Sequence, residues 1–165
     1  MSSANAAIPI ASTTEHLSAA SADILQNART AAALDLGYAG GVTPQQAWQL
    51  FESGEAVLVD VRTVEERKFV GHVPNTLHVP WATGTALTRN PRFVRELEAK
   101  AKKDQIVLLL CRSGKLSAVA AIAATKAGFA NAFNVLEGFE GEIDAQRQRG
   151  RLSGWRHQAL PWVQD

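Results

Sequence analysis

Ile106-Val107-Leu108-Leu109-Leu110-Cys111-Arg112-Ser113-Gly114-Lys115-Leu116-Ser117 reads as a buried strand that breaks into a short polar loop and then opens a helix. The aliphatic run Ile106 to Leu110 is too continuous for a strand with one wet face and too short for a helix, which selects a strand covered on both sides. Ser113-Gly114 supplies the turn, and the Ala-rich run over roughly Leu116 to Gly128, closed by its glycine, supplies the helix. Strand, loop and helix N-terminus in this order aim backbone N–H groups at one place and favour an anion or a thiolate there. The chain's one cysteine, Cys111, occupies that place.

The same pattern repeats on either side. Ala56-Val57-Leu58-Val59-Asp60-Val61 is a second continuous apolar run and reads as another buried parallel strand. Val64 to Val70 reads as a short helix, Thr76 to Val79 as a strand, Pro91 to Lys103 as a charged helix and Ala132 to Leu136 as a further strand. Upstream, Thr43-Pro44 predicts an N-cap with proline in the first turn, opening a helix whose Ala47, Leu50 and Phe51 face inward until Gly54. Strands alternating with helices predict an α/β fold with a parallel sheet covered on both faces. In such a sheet the ligand crevice lies beyond the strands' carboxyl ends, where Cys111 falls.

Residues 1–42 read as an N-terminal extension, loosely ordered to about Leu17 and then helical to Leu36, with Gly37 and Gly40-Gly41 as its stop. That helix is expected to dock on the domain formed by residues 43–165, with dimerisation as its alternative use. A composition of 46% hydrophobic and 20% charged residues suits one soluble globular unit. A formal net charge of +1 supplies no global field for nucleic acid or anionic membranes. A single cysteine excludes an intramolecular disulfide, and four scattered histidines form no metal-ligand spacing. No metal or cofactor is expected, and a cytoplasmic location is the default without a secretory or membrane-spanning pattern.

Neighbouring residues separate Cys111 from an inert core thiol. Arg112, Ser113, Gly114, Lys115 and Ser117 surround it with adaptable backbone and two cations, which an apolar packing role does not require. An ordinary thiol is about 3% thiolate at pH 7, so a nucleophile needs donors beyond the ~0.3–1 kcal/mol of a helix terminus. Spacing excludes a nucleotide-binding and a serine-hydrolase loop and disfavours a cysteine phosphatase. A nucleotide-binding P-loop needs glycine where Leu109 stands and Ser or Thr where Leu116 stands. A cysteine phosphatase needs its bidentate arginine at the position of Ser117, and a serine-hydrolase elbow does not fit Arg112-Ser113-Gly114.

Two separated motifs resemble the rhodanese (thiosulfate sulfurtransferase) family. Val59-Asp60-Val61-Arg62 followed by Glu65-Glu66 and Gly71-His72-Val73-Pro74 is similar to that family's Asp-Val-Arg, acidic helix and Gly-His-Ile-Pro pattern. Cys111 to Ser117 resembles its active loop, Val135-Leu136-Glu137-Gly138-Phe139 its next segment, and Gly154-Trp155 with Leu160-Pro161-Trp162 its ending. Departures are Lys115-Leu116 where many members carry Arg before Ser, Asn75-Thr76 in place of Gly-Ala, and a longer stretch from Glu140 to Ser153 expected to cover the site or bind a partner.

The resemblance implies a rhodanese-like domain that moves sulfane sulfur from a thiosulfate-like anion to cyanide or a thiol through a Cys111 persulfide. A protein sulfur-relay partner fits the same chemistry. Cys111 is then the catalytic nucleophile, Arg112 and Lys115 hold the donor anion, and Ser113, Gly114, Leu116 and Ser117 contribute mainly backbone N–H groups. Asp60 and Arg62 are expected to pair and fix the loops, His72 to be a hydrogen-bonded turn residue, and the tryptophans to pack, with Trp81 a candidate for the pocket mouth. The alternatives are a phosphatase or arsenate reductase of related fold and a non-catalytic binding module.

Overall fold

The computed structural model describes residues 17–165; the loosely ordered start expected for the chain falls almost wholly outside them. Helix α1, Ala19–Ala31, begins at Ser18, whose hydroxyl accepts the Ser21 N–H. Strand β1, Gly40–Val42, precedes helix α2, Pro44–Glu52, which opens on a capping box between Thr43 and Gln46. Strand β2, Val57–Asp60, runs into helix α3, Val64–Val70, opened by a second capping box between Thr63 and Glu66. Next come β3, Leu77–His78, a ribbon of β4, Ala82–Thr83, and β5, Thr88–Arg89, and helix α4, Phe93–Lys100. Strand β6, Val107–Leu110, helix α5, Lys115–Lys126, and strand β7, Ala132–Val135, complete the alternation.

The central sheet has five strands in the order β1-β7-β6-β2-β3. All four pairings are parallel. Strands β6 and β7 are dry on both faces, as the unbroken apolar sequence of β6 predicts; β7 is apolar apart from Asn134. The period of two along β6 sorts its residues between two cores. Val107, Leu109 and Cys111 pack with Phe93, Leu97, Ala120, Ala124 and Phe129 from the α4 and α5 side. Leu108 and Leu110 pack with Leu25, Leu50, Phe133 and Trp155 on the other. Cys111 is thereby the last inward residue on the α5 face.

Two elements depart from the sequence reading. Gly40-Gly41, taken as a helix stop, forms most of an edge strand of the central sheet, so the boundary drawn at residue 43 falls immediately after a strand of that sheet. A Cβ on Gly40 would stand 2.5 Å from the Ala28 carbonyl oxygen, so glycine there lets α1 lie directly on β1. The β4–β5 ribbon was not anticipated: each strand has two residues, and positions 83–89 are exposed, leaving no apolar alternation to read. Trp81, the candidate for the mouth, is buried between Arg89 and Phe93 instead.

Helix α1 is docked on the domain, as expected, and Glu55 ties its start. Its carboxylate accepts the Ser21 hydroxyl, the Ser18 N–H at 2.6 Å and the Ser53 hydroxyl at 2.8 Å. These donors, Ser21 foremost, hold the Glu55 pKa below its ordinary value. A depressed carboxyl pKa stabilises the docked state above the unfolded value, and that contribution is lost as pH falls through the folded value. Lowering pH from 7 to about 3 is therefore expected to increase hydrogen exchange of the α1 amides relative to α5, and Glu55→Gln to remove most of that pH dependence.

Candidate active site

Cys111 follows the last residue of β6 and is 3% exposed. Its Sγ accepts the Gly114 N–H at 3.1 Å and lies 3.1 Å from the Ser117 hydroxyl oxygen. Gly114, at φ +96°, is the N-cap of α5 and offers no side-chain cap, so the sulfur takes a donor at the start of this helix. The Ser117 hydroxyl also reaches Oδ1 of Asn134, at 2.5 Å, while Nδ2 of Asn134 donates to the Gly114 carbonyl at 3.0 Å. Sequence reasoning assigned Ser117 a backbone role; the contact it makes with the sulfur is through its side chain.

The loop is held from behind by the segment after β7. Phe139 donates its N–H to the Cys111 carbonyl at 2.8 Å, and Glu140 and Gly141 donate to the Arg112 carbonyl at 2.9 and 3.2 Å. Gly138, at φ +67°, makes this approach possible: a Cβ there would lie 2.5 Å from the Arg112 carbonyl carbon and oxygen. Asn134 is thus a site residue that motif reading missed, and Gly138, quoted there within Val135 to Phe139, has a site role that the motif did not assign. Their signals were a single amide inside the otherwise apolar Ala132-Phe133-Asn134-Val135 and a glycine two residues beyond Leu136.

Above the sulfur opens a pocket of about 460 Å³. Cys111, Arg112, Ser113, Lys115 and Leu116 form its loop wall, whereas Gly114 and Ser117 meet the sulfur from beneath. Arg62, Glu65 and Glu66 form the opposite wall, and Ala82, Gly84 and Leu87 of the β4–β5 ribbon form a third. The side chains of Arg112 and Lys115 are on exposed residues, which leaves both cations at the rim. None of residues 140–153 lines this pocket, so the long stretch expected to cover the site does not; its opening residues support the loop backbone instead.

Asp60 and Arg62 pair as expected. Arg62 donates to Asp60 through its backbone N–H at 3.0 Å, Nε at 3.1 Å and Nη2 at 2.9 Å, and Arg67 adds a contact at 2.8 Å. Burial alone would raise the Asp60 pKa, but the two guanidinium groups outweigh it and keep the carboxyl below its ordinary value. Arg62 also donates to the Gly71 carbonyl and lies over the Phe139 ring at 4.2 Å, linking this wall to the segment that supports the cysteine loop. His72 joins through its backbone, exchanging hydrogen bonds with Val163, while its ring Nδ1 is buried without a partner.

A buried thiol at the mouth of a parallel sheet, hydrogen-bonded by a helix-capping amide and faced by cations, defines a cysteine-loop α/β domain. The rhodanese-like domain model matches residues 43–143, and the chain belongs to that family. It is 35% identical over 118 residues to the uncharacterized protein RP600 homolog of Rickettsia rickettsii, covering 68% of this chain and 87% of that protein. It is 30% identical over 106 residues to the thiosulfate sulfurtransferase GlpE of Haemophilus influenzae, covering 64% of this chain and 89% of that protein. Among solved structures, Rv0390 from M. tuberculosis superimposes with a TM-score of 0.71 at 45% identity, covering 78% of this chain and 99% of that one. No helix among the described residues is long and apolar enough to cross a membrane.

The Gly138 contact yields a direct test. Gly138→Ala forces the Arg112 peptide to shift and is expected to destabilise the protein by about 1–3 kcal/mol in urea unfolding and to change the alkylation rate of Cys111. Gly54→Ala, at φ +81° with nothing within 4 Å of the added carbon, carries the backbone strain alone and is expected to leave Cys111 reactivity unchanged.

Proposed function

We propose that the protein is a sulfurtransferase that carries sulfane sulfur on Cys111. The observation that carries this reading is the sulfur itself: a buried thiol at the base of a cavity, with the Gly114 amide and the Ser117 hydroxyl in reach and Arg112 and Lys115 at the rim. The 30% identity to a thiosulfate sulfurtransferase supports the same chemistry. A thiosulfate-like anion meets the two cations, and the Cys111 thiolate attacks its outer sulfur. The S–S bond of the donor breaks, sulfite leaves with the bonding electron pair, and the negative charge resides on the terminal sulfur of the persulfide. Cyanide or a thiolate then attacks that terminal sulfur and returns Cys111 as thiolate. With no second cysteine in the chain, the acceptor is external. Asp60 acts as a support in this scheme, since Arg62 and Arg67 occupy its carboxylate; Arg62 supports it through Nε and Nη2 and keeps Nη1 without a partner beside the pocket it lines.

The test is an intact-mass measurement after incubation with thiosulfate. A gain of about 32 Da is expected, absent in Cys111→Ser and removed by cyanide. No gain with thiosulfate or polysulfide would overturn the proposal, and steady aryl-phosphate hydrolysis dependent on Cys111 would replace it with phosphatase chemistry. Lys115→Ala is expected to raise the KM for thiosulfate severalfold at low ionic strength, with the difference shrinking as salt screens the charge. An equal KM at all salt concentrations removes Lys115 from donor binding.

A further inference from the structure

Ser117 has one hydroxyl proton and two neighbours placed to receive it. Its Oγ lies 2.5 Å from Oδ1 of Asn134 and 3.1 Å from Sγ of Cys111. The Asn134 amide cannot be reversed, because its other end faces the Gly114 carbonyl oxygen at 3.0 Å, an atom that only accepts. Oδ1 therefore faces Ser117, and since Oδ1 also only accepts, the hydroxyl proton lies between the two oxygens. The remaining contact, Sγ to Oγ, is then filled by the thiol's own proton. Asn134 is 3% exposed and Ser117 is fully buried, so the link between their side chains lies in the interior, while Cys111 meets the cavity that its sulfur underlies.

A thiolate has no proton to donate, and the same arrangement would point an oxygen lone pair at a negative sulfur. The geometry points to Asn134 as a positioning residue that holds the Ser117 hydroxyl away from Cys111 while the sulfur is protonated and yields it when the sulfur ionises. On ionisation the thiol proton passes to solvent. The hydroxyl proton stays on Oγ and turns from Oδ1 to Sγ, which gains a donor beside the Gly114 N–H while Oδ1 loses one. When Sγ accepts a sulfane sulfur it becomes a neutral divalent atom, and the hydroxyl turns back to Asn134. The amide thus opposes the free thiolate and favours the loaded form. This inference rests on the reading of Cys111 as the nucleophile and assigns how its charge is regulated. Arg112 and Lys115 of the loop, Arg62 after β2 and Glu65 and Glu66 on α3 also face the cavity over Cys111, and they are held constant in the test.

The experiment is the pH dependence of Cys111 alkylation by iodoacetamide in the full chain, which needs no sulfur donor and so fails separately from the proposed activity. Asn134→Ala is expected to move the midpoint of alkylation down by about one pH unit by freeing the hydroxyl, and Ser117→Ala to move it up by a similar amount. The double variant is expected to match Ser117→Ala, because the proposed action of the asparagine on the sulfur runs through the hydroxyl, its other bond going to the Gly114 carbonyl and not to the sulfur. An upward or absent shift in Asn134→Ala, or a shift that persists without Ser117, overturns the inference. In the unaltered protein, the ¹³C resonance of the Asn134 side-chain carbonyl is expected to titrate with the alkylation midpoint and to lose that step in Ser117→Ala. A resonance that stays flat, or that still steps in Ser117→Ala, overturns it without requiring the asparagine variant to fold.

Discussion

The peptide of Arg112 rests against the backbone of Gly138, and the position of the Cys111 sulfur follows from that contact. The carbonyls of Cys111 and Arg112 point back toward the segment after β7 and find the amides of Phe139, Glu140 and Gly141 there. A buried carbonyl left without a donor costs about 1–3 kcal/mol, so the loop has strong reason to keep this seat. Because β6 and β7 are neighbours in the sheet, the seat is a product of strand order. The loop's outer face is thereby free to present Arg112, Ser113 and Lys115 to the pocket while its inner face is fully engaged.

The opposite wall is organised around a buried charge. Asp60 is fully buried, and its cost in the interior is offset only because Arg62 and Arg67 both reach it. Arg67 also donates to Thr76, and Arg62 to Gly71, so one carboxylate joins the end of β2, helix α3 and the turn before β3. The ring of Phe139 under Arg62 connects this network with the support of the cysteine loop. The two walls that flank the sulfur are therefore mechanically coupled without sharing a strand end.

The sequence was most legible where one physical rule acted alone. Val64–Val70 formed the short helix anticipated there, and the apolar runs at Val57–Asp60 and Val107–Leu110 became the buried strands they suggested. Thr43-Pro44 opened a helix because cap and proline agree locally. Reading failed where the cause lay elsewhere in the chain. Gly40-Gly41 carries the composition of a stop, and only the arrival of β7 beside it and α1 above it makes a strand. Cys111 and its cations stood out by residue type, whereas Asn134 and Gly138 matter through what they touch, Gly114 and Ser117 in one case and Arg112 in the other. The long stretch after Glu140 has a length that suggests a cover, but its hydrogen bonds turn inward to its own backbone and to Arg112.

The strand order also has a consequence for how the protein is made. Strand β1 pairs within the sheet only with β7, which lies some ninety residues later in the chain. During ribosomal synthesis β1 therefore emerges with its sheet edge unpaired, and His72 likewise precedes its bridge partner Val163 by about ninety residues. The nascent polypeptide has to be kept from sticking to its neighbours while those ninety residues are made, because the edge of β1 stays open over that interval.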